Sequence, residues 1–103
     1  MKTFEVFEGG TLRISLSGEL DHHGAKETMH HAADSIENHV PQLCILDFKE
    51  VGFMDSSGIA FILNVNKRMG NIDGRLMVEN VDKQPMKVIR ASGIERIISI
   101  KEL

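Results

Sequence analysis

The sequence predicts a single α/β domain with a mixed, mostly parallel β-sheet and about three helices. After an opening pair of strands, apolar strand-like runs alternate with segments of helical spacing, which gives the order β-β-α-β-α-β-α-β. Such alternation implies parallel strands joined by right-handed crossovers. The chain has 103 residues, enough for one hydrophobic core, and no linker, repeat or low-complexity segment divides it. Residues 1–103 are therefore predicted to form one domain.

The chain opens with two predicted strands, residues 3–7 and 11–17, which form an antiparallel hairpin at one edge of the sheet. The second strand alternates between apolar and polar residues, as a half-buried strand does. Its apolar members are Leu12, Ile14 and Leu16. Glu8-Gly9-Gly10 between the two strands is typical of a hairpin turn. Residues 18–21 are predicted to form a loop.

The first helix is predicted to run from His22 to Asn38. Four apolar residues of this segment share one helical face: Ala25, Met29, Ala32 and Ile36. Pro41 favours a break after the helix. Residues 42–48 form a nearly continuous apolar run, which predicts a strand covered on both faces or, alternatively, a sheet with helices on one side. A turn is expected over residues 49–55.

The second half of the chain continues the alternation. Its predicted elements are a helix over Ser56–Met69, a strand over Arg75–Val78, a helix that ends near Ser92-Gly93, and a strand over Ile94–Ile100. Gly70 is the expected stop of the second helix. Asp82 is suited to cap the third helix, and Pro85 is tolerated in its first turn.

Charge and composition narrow the classes of partner. The net charge is −3 at pH 7 and there is no basic run, so nucleic acid is not an expected partner. No apolar stretch approaches the length of a membrane span, and no signal peptide is recognisable, so no membrane association is expected. The single cysteine, Cys44, lies in an apolar run and cannot form an internal disulfide. We expect a buried thiol and a cytoplasmic location.

Two glycine-flanked polar segments, residues 18–24 and 52–58, are the candidate functional loops. Each follows a predicted strand and opens a predicted helix. In open α/β sheets, binding sites lie at the carboxyl ends of the strands. Both loops are therefore expected at the same edge of the domain, where they would form one surface patch.

Ser56 is the candidate for a regulated residue within the second loop. Asp55 and Ser56 are both suited to cap the following helix. A helix start exposes unpaired N–H groups and favours an anion, so a phosphate on Ser56 would meet those donors. It would also add about −1.5 to −2 charges beside Asp55. The same residues equally fit plain helix capping, and the Gly-x-Ser-x-Gly pattern of serine hydrolases is absent.

At these loops the sequence resembles the STAS domains of bacterial anti-sigma factor antagonists, particularly the sporulation antagonists of the anti-sigma F kinase. The stretches that carry the resemblance are Leu16-Ser17-Gly18-Glu19-Leu20-Asp21-His22-His23, then Asp47-Phe48 with Val51-Gly52-Phe53-Met54-Asp55-Ser56-Ser57-Gly58-Ile59, and finally Met86–Ile98 with Ala91-Ser92-Gly93-Ile94. Their order and spacing match the family over nearly the whole chain. Phe-Met-Asp-Ser-Ser-Gly in this context is specific to the family.

The resemblance implies a regulatory cycle without catalysis by this chain and without a cofactor. The unphosphorylated antagonist binds an anti-sigma factor serine kinase and frees a sigma factor. The kinase then phosphorylates the antagonist on the serine that follows the aspartate, here Ser56, and a serine phosphatase resets the cycle. The residues that the resemblance assigns to partner binding are Asp21, His22, His23, Asp55, Ser57 and Gly58. Family members usually continue into a further helix, which is not found after Ile100.

Two other functions fit parts of the sequence. A non-switching STAS scaffold, such as a subunit of a sensory or transport-linked assembly, would use the Ser56 hydroxyl only to cap a helix. A small hydrolase would require a base within hydrogen-bond reach of Ser56 Oγ.

Two side-chain patterns have a structural and a functional interpretation. The apolar arc of the second helix is broad, and it predicts deep burial or, alternatively, a partner contact by Phe61 and Val65. His23, Glu27 and His31 have the spacing of a chelating face, but solvent exposure is the better interpretation and no metal is expected.

Overall fold

The computed structural model describes all 103 residues. The elements are β1 (Lys2–Glu8), β2 (Thr11–Leu20), α1 (His22–His39), β3 (Leu43–Met54), α2 (Ser56–Asn71), β4 (Arg75–Val81), α3 (Lys83–Ser92), a 3₁₀ turn (Ile94–Arg96) and β5 (Ser99–Glu102). The strands form one sheet in the order β1-β2-β3-β4-β5. β1 is antiparallel to β2, and all other neighbours are parallel. The predicted fold class and element order are confirmed.

The helices cover one face of the sheet. In β3, the fully buried side chains of Cys44, Leu46 and Phe48 alternate with the half-buried Leu43, Ile45 and Asp47. The same alternation runs through β2 and β4. Right-handed crossovers between successive neighbours place α1, α2 and α3 on the same side. Of the two predicted arrangements for β3, the one-sided packing is therefore correct, and the other face of the sheet is open.

The central strands are longer than predicted, and this corrects the loop at residues 18–21 and the turn at residues 49–55. β2 continues to Leu20 and β3 continues to Met54, and the two strands pair along these extensions with shifts in register. Gly18 lies at such a shift with φ of 124°, a conformation that L side chains rarely adopt. The glycines and polar residues of these segments are typical of loops, which is why a loop and a turn were predicted. Pairing between β2 and β3 keeps both segments extended instead.

Three further boundaries differ from the predicted ones. α2 passes through Gly70 to Asn71, so Gly70 is not its stop; the reversal comes later, where the Gly74 N–H donates to the Met69 carbonyl at 2.8 Å. β4 extends to Val81 rather than Val78. The predicted strand over residues 94–100 is a 3₁₀ turn followed by β5, because Ile94 and Ile98 bury their side chains at helical spacing.

The apolar arc of α2 belongs to the core. Phe61 is 2% exposed and Val65 is 0% exposed, so a partner contact by these two residues is wrong. The exposed apolar side chains near this helix are Leu63 on α2 itself and Phe53 at the end of β3. None of the helices combines the length and apolar character that a membrane crossing requires.

Candidate functional site

The two candidate loops meet at one edge of the sheet, as predicted. Leu20 and Met54 are register partners at the carboxyl ends of the parallel strands β2 and β3. One residue later, the Asp55 N–H points to the Leu20 carbonyl at 3.5 Å. α1 and α2 therefore start side by side, and the residues of both loops share one surface.

Each helix starts with an aspartate cap. The Asp21 side chain accepts a hydrogen bond from the Gly24 N–H at 2.9 Å, and the Asp55 side chain accepts one from the Ser57 N–H at 2.8 Å. These carboxylates satisfy backbone donors that a helix start leaves unpaired. Asp55 is the N-cap of α2, so Ser56 is the first helical residue and its hydroxyl is not the capping group.

A glycine at the third helical position holds each start close to its neighbours. A Cβ atom on Gly24 would collide with the Glu19 carbonyl oxygen, and one on Gly58 would collide with the Met54 side chain. Both glycines are buried. The helices can approach the strand ends this closely only because these positions lack side chains.

The site residues differ in accessibility. His22, His23 and Ser56 are exposed, and Asp21, Asp55 and Ser57 are half-buried. Gly58 is buried, so it allows close packing of α2 against Met54 and is not part of the accessible surface. The structure thus brings six of the seven predicted site residues to one accessible patch, with Ser56 among its exposed members.

Gln84 is a site residue that the sequence analysis missed. Its side-chain carbonyl accepts a hydrogen bond from the Met54 N–H at 2.8 Å, and its amide donates to the Met54 carbonyl at 2.9 Å. β4 pairs with β3 only from Leu43 to Asp47, so this amide from α3 replaces a neighbouring strand at the end of β3. Gln84 therefore positions the residue directly before Asp55. No local signal in the sequence marks a contact across 30 positions.

The geometry favours neither a serine hydrolase at Ser56 nor a metal site at the histidines of α1. No hydrogen bond joins the Ser56 hydroxyl to a histidine or a carboxylate, the arrangement that activates a serine nucleophile. No group of three His, Cys, Asp or Glu side chains is placed to hold a metal ion, so His23, Glu27 and His31 do not form a chelating site. Cys44 is buried, and burial, with a smaller effect from Glu5, raises the pKa of its thiol to about 12.

Comparison with protein families gives a match over almost the whole chain. The family model of the STAS domain matches residues 6–102. The anti-sigma F factor antagonist of Paenibacillus polymyxa is 32% identical over 91 residues, which span 88% of this chain and 78% of that protein.

Solved structures of one antagonist resemble this fold in two chemical states. The anti-sigma factor antagonist SpoIIAA in its unphosphorylated form has a TM-score of 0.82 at 26% identity, and the match covers 96% of this chain and 87% of that one. The Bacillus cell fate determinant SpoIIAA in its phosphorylated form has a TM-score of 0.73 at 26% identity, with coverage of 96% and 90%.

Proposed function

The chain belongs to the STAS domain family, and we propose that it is an anti-sigma factor antagonist that phosphorylation on Ser56 switches off. The observation that carries this proposal is the position of Ser56. It is exposed, it begins α2 directly after the capping Asp55, and it lies on the edge where the two loops meet. Relatives named as antagonists of anti-sigma F factor, and SpoIIAA in its phosphorylated form, support the same cycle.

The position of Ser56 suits a charge-based switch. A hydroxyl at the first position of a helix is accessible to a kinase, and a phosphate there is stabilised by the helix dipole. The same phosphate adds about −1.5 to −2 charges beside the Asp55 carboxylate. A partner surface that fits the neutral patch then meets repulsion and a desolvation cost, because its buried polar groups lose their pairing.

The proposed partners are an anti-sigma factor serine kinase and a serine phosphatase. In its unphosphorylated form the chain binds the kinase through Asp21, His22, His23, Asp55 and Ser57, and a sigma factor is released. The kinase transfers phosphate to Ser56 and dissociates, and the phosphatase restores the binding form. The cycle takes place in the bacterial cytoplasm, and the chain itself catalyses no step.

Binding measurements on Ser56 variants test the proposal. We expect Ser56→Ala to bind the anti-sigma kinase of the same organism with parental affinity and to stay bound when ATP is added. Ser56→Asp is expected to bind at least about tenfold more weakly, equivalent to about 1.4 kcal/mol. Isothermal titration calorimetry with a non-hydrolysable ATP analogue gives both affinities.

Ser99→Ala is the matched control, because it removes an exposed serine hydroxyl at the start of the edge strand β5, outside the proposed binding patch. Its affinity and its response to ATP are expected to equal those of the parent. Equal affinities for Ser56→Asp and the parent would contradict the switch and favour a non-switching scaffold.

A further inference from the structure

A long groove runs between α1 and α2 and begins at the switch loops. Its first part has a volume of about 350 Å³ and extends from His22 and Ser57 to Arg68. A second part of about 290 Å³ continues along the same helices, and Ala33 and Arg68 line both parts. α1 has 18 residues, so the groove follows about 27 Å of helix. A trough of this length and shape suits a helix better than a small molecule.

The first part of the groove is positively charged by composition. Its cationic side chains are Lys26 and Arg68, and no aspartate or glutamate lines it. His22, His30 and Asn64 add side-chain nitrogen atoms that can donate hydrogen bonds. The chain as a whole has 15 acidic against 12 Lys and Arg residues, so this surface contrasts with the rest of the molecule. Of the acidic residues of α1, Glu27 and Asp34 line neither part of the groove.

Glu37 is the carboxylate that lines the second part. It lies 3.9 Å from Arg68, and the two side chains are 72% and 42% exposed. An ion pair with this separation and exposure contributes little to stability, so Arg68 is available to bind a stronger anionic partner. The first part of the groove therefore carries Lys26 and Arg68 with no carboxylate in its lining.

The apolar residues of the groove follow helical spacing and are mostly small. The accessible ones are Met29 and Ala33 on α1 and Ala60 on α2, whereas Ala25 and Phe61 border the groove but are buried in the core. Alanines permit close approach of another helix, and methionine adapts to varied apolar surfaces. The groove therefore offers an apolar floor flanked by cationic side chains.

We propose that this groove binds an acidic amphipathic helix of a partner protein. The apolar face of that helix lies on the alanine floor, and its carboxylates pair with Lys26 and Arg68. A second copy of this chain is a poorer occupant, since α2 and α3 contain no acidic residue and α1 is itself a wall of the groove.

The groove also explains how phosphorylation releases a partner, and this part of the inference rests on the proposed function. Ser56 adjoins Ser57, which lines the mouth of the groove together with His22 and Lys26. A phosphate on Ser56 would place about −1.5 to −2 charges there and compete with the partner carboxylates for Lys26. Switch and docking groove then act as one surface.

A peptide titration tests the groove without any kinase. The probe is a synthetic helical peptide of about five turns with Leu and Ala on one face and Glu beside it; the control peptide carries Lys in place of Glu. Amide chemical shifts of the full chain are recorded with each peptide. We expect the acidic peptide to shift residues of α1 and α2 that face the groove, and the basic peptide to shift none.

Charge-reversal variants locate the binding site. Lys26→Glu is expected to lower the affinity for the acidic peptide by about fivefold or more. Lys67→Glu makes the same change at an exposed residue of α2 outside the groove, and it should leave that affinity unchanged. The amide spectrum of each variant reports that it is folded. Equal weakening by both variants, equal binding of both peptides, or shifts confined to the open face of the sheet would overturn the proposal.

Two further measurements separate this inference from the switch. If Ser56 is not phosphorylated but the peptide results hold, the switch fails and the groove stands. If the parent binds the kinase and Lys26→Glu binds it equally well while losing the peptide, the groove serves another acidic partner and the release mechanism fails. Self-association that Lys26→Glu abolishes in sedimentation would assign the groove to a second copy and overturn the proposal.

Discussion

At the scale of single residues, the site depends on side chains that position Ser56 more than on Ser56 itself. Asp55 caps α2 through the Ser57 N–H, and Gly58 lets the helix approach the Met54 side chain. Gln84 holds the Met54 backbone from the other side. The hydroxyl of Ser56 is therefore presented on a rigid support and remains free of structural hydrogen bonds to its neighbours.

Gln84→Ala is expected to destabilise the fold by roughly 2 kcal/mol, because it leaves the N–H and carbonyl of the fully buried Met54 without partners. Chemical denaturation measures the loss, and hydrogen exchange at the Met54 amide should accelerate. Gln42→Ala, the same change at an exposed glutamine, is the control and should have little effect. Equal losses in the two variants would show that the Met54 contacts contribute nothing specific.

At the scale of elements, the end of α1 is strained. Val40 follows the last helical residue with φ of 45° and ψ of 57°, a left-handed conformation that is unfavourable for a β-branched residue. Its N–H still donates to the Ile36 carbonyl at 2.9 Å, which completes the helix. Val40 is 61% exposed, so packing of its side chain does little to offset this backbone strain.

Val40→Asn is expected to stabilise the protein by roughly 1 kcal/mol, since asparagine tolerates the left-handed conformation better than valine does. Thermal unfolding should show a higher midpoint. Val40→Ala retains a Cβ atom without the asparagine amide and serves as the comparison, with a smaller gain. A lower midpoint for Val40→Asn would mean that the valine side chain is needed where it lies.

Element types were predictable from the sequence because their signals are local. Alternation at Leu12, Ile14 and Leu16 and helical spacing in α1 identified strand and helix correctly. The ends of β2 and β3 were not predictable in this way, since Gly18 and Gly52 resemble loop residues and the pairing that extends both strands is non-local. The Gln84 contact and the groove between α1 and α2 likewise depend on elements far apart in sequence.

At the scale of the whole molecule, an ionic network ties three strands together on the open face of the sheet. Arg13 of β2 donates to Asp47 of β3 at 2.9 Å and to Glu79 of β4 at 3.1 Å. Asn80 donates to the other Asp47 oxygen at 3.0 Å, and the Lys49 N–H donates to the same oxygen at 3.0 Å. Burial alone would raise the pKa of Asp47, but these hydrogen bonds outweigh it and hold the pKa below the usual range.

This network makes stability depend on pH. Because the folded-state pKa of Asp47 lies below its unfolded value, the carboxylate contributes stability above the unfolded pKa, and this contribution is lost as pH falls through the folded pKa. Asp47→Asn is expected to cost about 1 kcal/mol at pH 7, a value reduced by the partial exposure of Arg13. Denaturation at several pH values should show this difference shrinking below about pH 4.

Asp34→Asn, at an exposed position of α1, is the control for Asp47→Asn and should change stability little at any pH. A cost for Asp47→Asn that stays constant down to pH 2 would contradict the assignment of the acid response to this carboxylate.

The central claim is that Ser56 is the phosphorylated switch of an anti-sigma factor antagonist. The most direct test is the intact mass of the chain after incubation with ATP and the anti-sigma kinase of the same organism, with the kinase shown to be active. We predict a gain of one phosphate in the parent and in Ser99→Ala, and none in Ser56→Ala. No gain in the parent, or a phosphate retained in Ser56→Ala, would contradict the account.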